Sequence, residues 1–384
     1  MKPRLIVIVS AALLVLIVMV RLAGKRTSDA PEASNAGTDP SPAPPAAAAS
    51  PDPASSKVHS KPGTAQAPVN AESSEKKKDA VTLAKLVEGL FSGEISPKQP
   101  TPEQLKAHVE SNQNSAESML AAFQASGDKA WLSNAALLHP DDPRVQFAMI
   151  TQKVDPERQR EWLEKFKASD PENSLADYLS AAEHLRRGDS KAAIADMLAA
   201  EGKRNFEDYA RSDIQSAEEL YLNSGRDPTE SKVSAAIQQK LPYLKDLRRF
   251  GHQLSGLQKQ ALENGDTAAH AELVQAGLGL GQRLSSEIGG KFLLNNVVGI
   301  AIEREVLHGL EPDQGYDYLE QTPREALGLL DEEMNNIKNT AKITGVIGQV
   351  PSFDVAGFFD RIKLYGEYDA LRWLSAKYAS TLNP

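Results

Sequence analysis

The sequence predicts an all-α protein: antiparallel helix pairs stacked as a short irregular solenoid, a C-terminal helical bundle, and, ahead of both, one transmembrane helix and a disordered linker. Three observations predict it. From Asp79 onward apolar residues recur at helical rather than alternating spacing. Gly-Asp and Asp-Pro pairs punctuate that pattern, at Gly127-Asp128, Asp155-Pro156, Asp170-Pro171 and Gly188-Asp189. Upstream, Leu5 to Val20 reads LIVIVSAALLVLIVMV, with Ser10 its only polar residue.

Sixteen helical residues at about 1.5 Å each span roughly 24 Å, and adding Leu22 and Ala23 brings the run close to a hydrocarbon core of about 30 Å. Arg21 sits near the end of the run, where its side chain can reach the headgroups. The transmembrane signal anchor is therefore expected over residues 5–23. A cleaved signal peptide shares the basic start and apolar run, but Arg21-Leu22-Ala23-Gly24-Lys25 offers no A-x-A cleavage site. The flanking charges, Lys2 and Arg4 against Arg21, Lys25 and Arg26, nearly balance under the positive-inside rule. The Pro/Ala/Ser-rich segment after the anchor sets the expected topology: residues 1–4 in the cytoplasm, a single pass of the inner membrane, and the body outside.

Residues 24–78 are expected to be a tether. Within 27–78, nine Pro, twelve Ala and nine Ser fill thirty of fifty-two positions, with no aromatic residue. Such a segment cannot bury enough apolar surface to offset its ordering entropy, and as a flexible coil it reaches roughly 40 Å. Up to residue 78 the chain carries ten Lys/Arg and six Asp/Glu; the remainder carries 33 against 46, a net charge of −13. An acidic body is poorly suited to nucleic acid. The chain has no cysteine, which excludes disulfides, thiol nucleophiles and Cys-based zinc sites.

The body divides into two expected helical domains, 79–225 and 226–384. Thr101-Pro102-Glu103-Gln104 reads as an N-cap, a first-turn proline and a capping-box glutamine. Two segments, ending at Pro140 and Pro171, lie 31 residues apart. Between Asn173 and Asn205 a helix pair turns at Arg187-Gly188-Asp189, with Ala181, Gly188, Ala193 and Ala200 as small residues at the spacing that lets two helices approach. These four positions resemble the tetratricopeptide repeat, over about residues 113–205, with a weaker echo at 257–310. Met197 stands where an aromatic is usual, Asp177 and Ser180 replace the common Trp and Leu, and Asn205 replaces the terminal Pro. The resemblance implies a concave helical face that receives protein segments and has no chemistry of its own.

In the second domain, helices are expected over 229–264 (interrupted at Pro242), 267–287 and 291–310. Gly277, Gly279 and Gly281 lack the third glycine of a dinucleotide fingerprint and lie inside a helical pattern, so they read as close helix packing. Glu305 and His308 form a single E-x-x-H step, where a di-iron bundle needs two. No H-E-x-x-H, G-x-S-x-G, P-loop or EF-hand loop is present. No catalytic residue, metal ligand or cofactor is expected.

Aromatic residues crowd the tail. Phe353, Phe358 and Trp373 are candidate partner contacts, although the spacing of Phe358, Phe359 and Ile362 also fits a buried helix face. Ile343 to Val350 reads as a loop. The expected function is a membrane-anchored extracytoplasmic scaffold or adaptor that binds a protein partner near the membrane. The alternatives are a ligand- or glycan-binding receptor with a pocket among the Gly277–Leu310 helices, and an enzyme whose site carries no local motif.

Overall fold

The computed structural model describes residues 99–286, 292–342 and 354–378. The expected anchor with Leu5, Val20 and Arg21, the linker, Phe353 and the 343–350 loop lie outside these residues. Among the described residues no helix is long and apolar enough to cross a membrane.

The described residues form fifteen helices and no strand. They are α1 Pro102–Ser111, α2 Ala116–Ser126, α3 Lys129–Leu138, α4 Pro143–Gln152 and α5 Gln159–Ser169. Next come α6 Ser174–Arg186, α7 Ser190–Glu201, α8 Ala210–Asn223, α9 Pro228–Ile237 and α10 Tyr243–Glu263. The last five are α11 Thr267–Ser285, α12 Leu293–Leu307, α13 Pro323–Ala341, α14 Val355–Tyr365 and α15 Glu367–Lys377.

The punctuation works as the sequence predicts. Thr101 caps α1 in a reciprocal capping box with Gln104, and Thr322 does the same for α13 with Glu325. At Gly188-Asp189 the glycine takes φ +82°, a backbone that L side chains rarely adopt, and the aspartate then accepts from Ala192 N–H as the N-cap of α7. Gly265-Asp266 repeats this between α10 and α11. One dipeptide thus ends one helix and starts the next.

Consecutive helices pack as hairpins: α2 on α3, α4 on α5, α6 on α7, α8 on α9, and α11 between α10 and α12. The α6–α7 hairpin is closed at its open end, where Ser174 N–H donates to Asn205 O and Asn205 N–H to Glu172 O. Ala181, Ala193, Met197 and Ala200 are all buried in this hairpin, and Gly188 makes its turn. Asp177 is also buried and is paired with Lys203 and Lys167.

The chain does not continue as a simple stack. Helix α8 returns to pack on α2 and α1, and α10 lies against α6. The larger hydrophobic core runs from Leu105 on α1 to Ile302 on α12, so both sides of residue 225 share it. A second core joins α9 and α11 to the C-terminal helices through Val233, Val274, Ile300, Phe358 and Leu371. Arg283 of α11 binds the two halves by donating to Glu201 O (3.0 Å) and Ala200 O (3.4 Å) at the end of α7. Arg283→Ala should cost about 1–2 kcal/mol, since it leaves helix-end carbonyls without a charged donor. A lower urea midpoint at unchanged slope is the expected reading.

Candidate functional site

Among the described residues, two of the cavities lie along the inner faces of the helices. The smaller, about 60 Å³, lies between α2, α4, α8 and the segment that leads into α10. Its wall is a polar network. Tyr243 O–H donates to Asp208 (2.7 Å) and accepts from Asn295 Nδ2 (3.0 Å). Tyr209 O–H donates to Asp170 (2.5 Å), while its ring packs edge-on to Phe147. Tyr209 holds this place with φ +59°, a strained backbone for an aromatic residue. Burial first, and then the nearby Asp208 charge, push the Asp213 carboxyl up to about 7. Burial likewise raises both tyrosines, so their hydroxyls stay protonated. At about 60 Å³ the space is the size of a few water molecules. The network fixes the turn from α7 to α8 against α4 and α10.

The larger cleft, about 250 Å³, is open on one side and is walled by α4, α5, α6 and α10. Ile150 and Leu179 form an apolar floor, with Ala182 beside them. Gln159, at the start of α5, donates to Ile150 O (3.1 Å) and ties α5 to α4 beneath that floor. Charged side chains line the two facing walls. On α6, Glu183 accepts from Arg186 Nε (2.7 Å) and Nη2 (2.6 Å) and from Arg187 Nε (2.7 Å). On α10, Asp246 is 3.0 Å from Lys153 Nζ and 3.6 Å from Arg249 Nη2. Burial alone would raise the Glu183 carboxyl; Arg186 and Arg187 overcome it and hold the group below the usual carboxylate range. Glu183 first, and Asp246 across the cleft, hold the Arg186 guanidinium above its own. Lys153, the C-cap of α4, takes φ +49°, where glycine or asparagine is usual.

Other candidate features resolve differently. Glu305 pairs with Arg248 and His252 of α10, while His308 is exposed and takes no part. Among the described residues no group of three or more His, Asp or Glu side chains is placed to hold a metal ion. Gly277 and Gly281 of α11 pack closely against α12. A Cβ on Gly277 would meet Val306 Cγ2 at 2.6 Å, and one on Gly281 would meet Gly299 O at 3.0 Å. The two cavities lie away from this filled seam.

Phe358 is 2% exposed and packs edge-on to Phe359. It is a core residue, which corrects its expected role as a partner contact: helix α14 turns that face onto α9. Trp373 is half-buried, with the Arg361 guanidinium and the Lys377 ammonium over its ring.

Sequence reasoning missed Lys153, Glu183, Arg186, Asp246 and Arg249. The only local signal was the spacing of Glu183 to Arg186 and Asp246 to Arg249, each one helical turn apart. Comparison with family models, with curated proteins and with solved structures returns no match.

Proposed function

We propose that this chain is a membrane-anchored, extracytoplasmic helical scaffold that receives a segment of another protein in the cleft between α4, α6 and α10. In this reading residues 5–23 are the anchor, residues 24–78 are the tether, and the hairpins through α7 are divergent tetratricopeptide-like units.

The observation that carries the reading is the cleft itself. At about 250 Å³ it falls below the roughly 300–1,000 Å³ of sites that enclose a small molecule. It is open, has an apolar floor, and is bordered by charged side chains held in place by their neighbours. That is the form of a surface that takes side chains from an extended segment. The return of α8 onto α1 and α2 supports the same reading, because it sets α10 against α6 as the second wall.

Site-specific photo-cross-linking tests it. A photoreactive residue replaces Gln253 on the cleft wall of the full-length protein in its native membrane, with Leu329 on α13, 53% exposed, as the control position. Discrete protein adducts at 253 that are missing at 329 are the expected result. Identical background at both positions would overturn the proposal.

A further inference from the structure

The charges around the cleft do not balance, and the direction of the imbalance identifies its ligand. Glu183 holds two cations, Arg186 and Arg187. Asp246 also holds two, Lys153 and Arg249. Among the residues that line the cleft, the cations Lys153, Arg186 and Arg249 outnumber the carboxylates Glu183 and Asp246, leaving a net charge of +1, and Arg187 adds a further cation just outside the lining. The chain after residue 78 is strongly acidic, 33 Lys/Arg against 46 Asp/Glu, so a cationic cleft runs against the field of the whole body.

The cations are also accessible. Lys153, Arg186 and Arg249 are each about half exposed, at 52%, 56% and 50%. Arg186 spends Nε and Nη2 on Glu183, which leaves Nη1 to meet a ligand. Arg249 reaches Asp246 only at 3.6 Å, too long for a hydrogen bond, so its fork keeps its donors for another carboxylate. Between the two walls lies the apolar floor of Ile150 and Leu179.

We infer that the cleft binds an acidic peptide segment, with an apolar side chain on the floor and flanking carboxylates taken by Arg186 on one wall and Arg249 with Lys153 on the other. This inference rests on the scaffold reading and names the chemistry of its partner. A small anion would find the charges but leave the floor empty. A nucleic acid would have to approach an acidic body that repels its phosphates.

The test uses full-length protein in detergent micelles and a labelled peptide with one leucine flanked by glutamates, beside its glutamine counterpart, read by fluorescence anisotropy. The glutamate peptide should bind at least about tenfold more tightly, the equivalent of one or two desolvated charge contacts. Its binding should weaken as salt rises from about 50 to about 200 mM. Replacing the leucine by serine should weaken it further. Arg186→Glu with Arg249→Glu should abolish binding, and Arg372→Glu, on the exposed side of α15, should leave it unchanged.

Equal binding of the two peptides, or binding that survives the double reversal, would overturn the inference. So would displacement by polyphosphate at matched charge, which would make the cleft a general anion groove. If the cross-linked partner lacks an acidic segment, the scaffold reading stands and this inference fails. If no position 253 adduct forms and no peptide binds, both fail.

Discussion

Gly299→Ala is expected to destabilise the body by about 2 kcal/mol, although alanine is the better helix former by up to about 1 kcal/mol. The reason is backbone contact. A Cβ at residue 299 would lie 2.5 Å from Gly281 O and 2.8 Å from Ser285 N, both main-chain atoms of α11. No rotamer change relieves either contact, so α11 and α12 must separate, and the separation opens space in a seam that also holds Val306 and Glu303. Urea unfolding should show a lower midpoint at unchanged slope. Gly256→Ala is the matched control: in α10 a Cβ at residue 256 would meet nothing within 4 Å, so the same substitution should leave stability unchanged or raise it slightly. Equal effects at the two sites would refute the close-packing account.

The second large effect is a dependence on pH. Glu367 begins α15, is 7% exposed, and accepts from Leu293 N–H (3.0 Å) at the start of α12. It serves as a cap donated by a distant helix, because Phe292 at the N-cap has no side chain to do so. Burial pushes its carboxyl up to about 7 from an ordinary 4.5, and the Leu293 N–H offsets only part of that. Glu303 is pushed up to about 7 by burial and by Glu333, against the Ser285 hydroxyl that donates to it.

For both groups the folded state binds the proton more tightly than the unfolded chain. Their contribution to stability is therefore complete below about pH 4.5, is lost as pH rises toward 7, and is level above that. A difference of about 2.5 units is worth roughly 3 kcal/mol for each group. His108, buried and held below its usual range by desolvation, acts in the opposite direction as pH falls through about 6.5. The urea midpoint of the wild type should fall between pH 5 and pH 8. Glu367→Gln keeps an acceptor for Leu293 and cannot ionise, so it should raise the midpoint at pH 8 and flatten the profile. A variant whose profile matches the wild type would show that Glu367 does not titrate in this window.

Much of the architecture was legible in the sequence because its determinants are local. The capping box at Thr101, the Gly-Asp turns and the break at Pro242 act within a few residues, so their chemistry can be read from adjacent letters. Helical periodicity reports the buried face of each element whatever it packs against. Even the close approach at Gly277 and Gly281 showed as small residues one turn apart, though not the surface that would fill it.

The site was not legible, because its members meet only after α10 folds back on α6. Lys153 and Asp246 are separated by 93 residues, and neither belongs to a recognisable pattern alone. The E-x-x-H step shows the same limit: Glu305 and His308 share a local spacing, yet Glu305 turns to His252 and Arg248 on another helix. Phe358 illustrates it for packing, since its spacing suits either a buried face or an exposed hot spot until α9 covers it. The sequence by itself determined where helices start and stop and which stripe of each is apolar, because these depend on hydrogen bonds and side chains within one or two turns. Only the tertiary structure decided which charges face one another across the cleft, because Coulomb interactions depend on distance through space rather than distance along the chain.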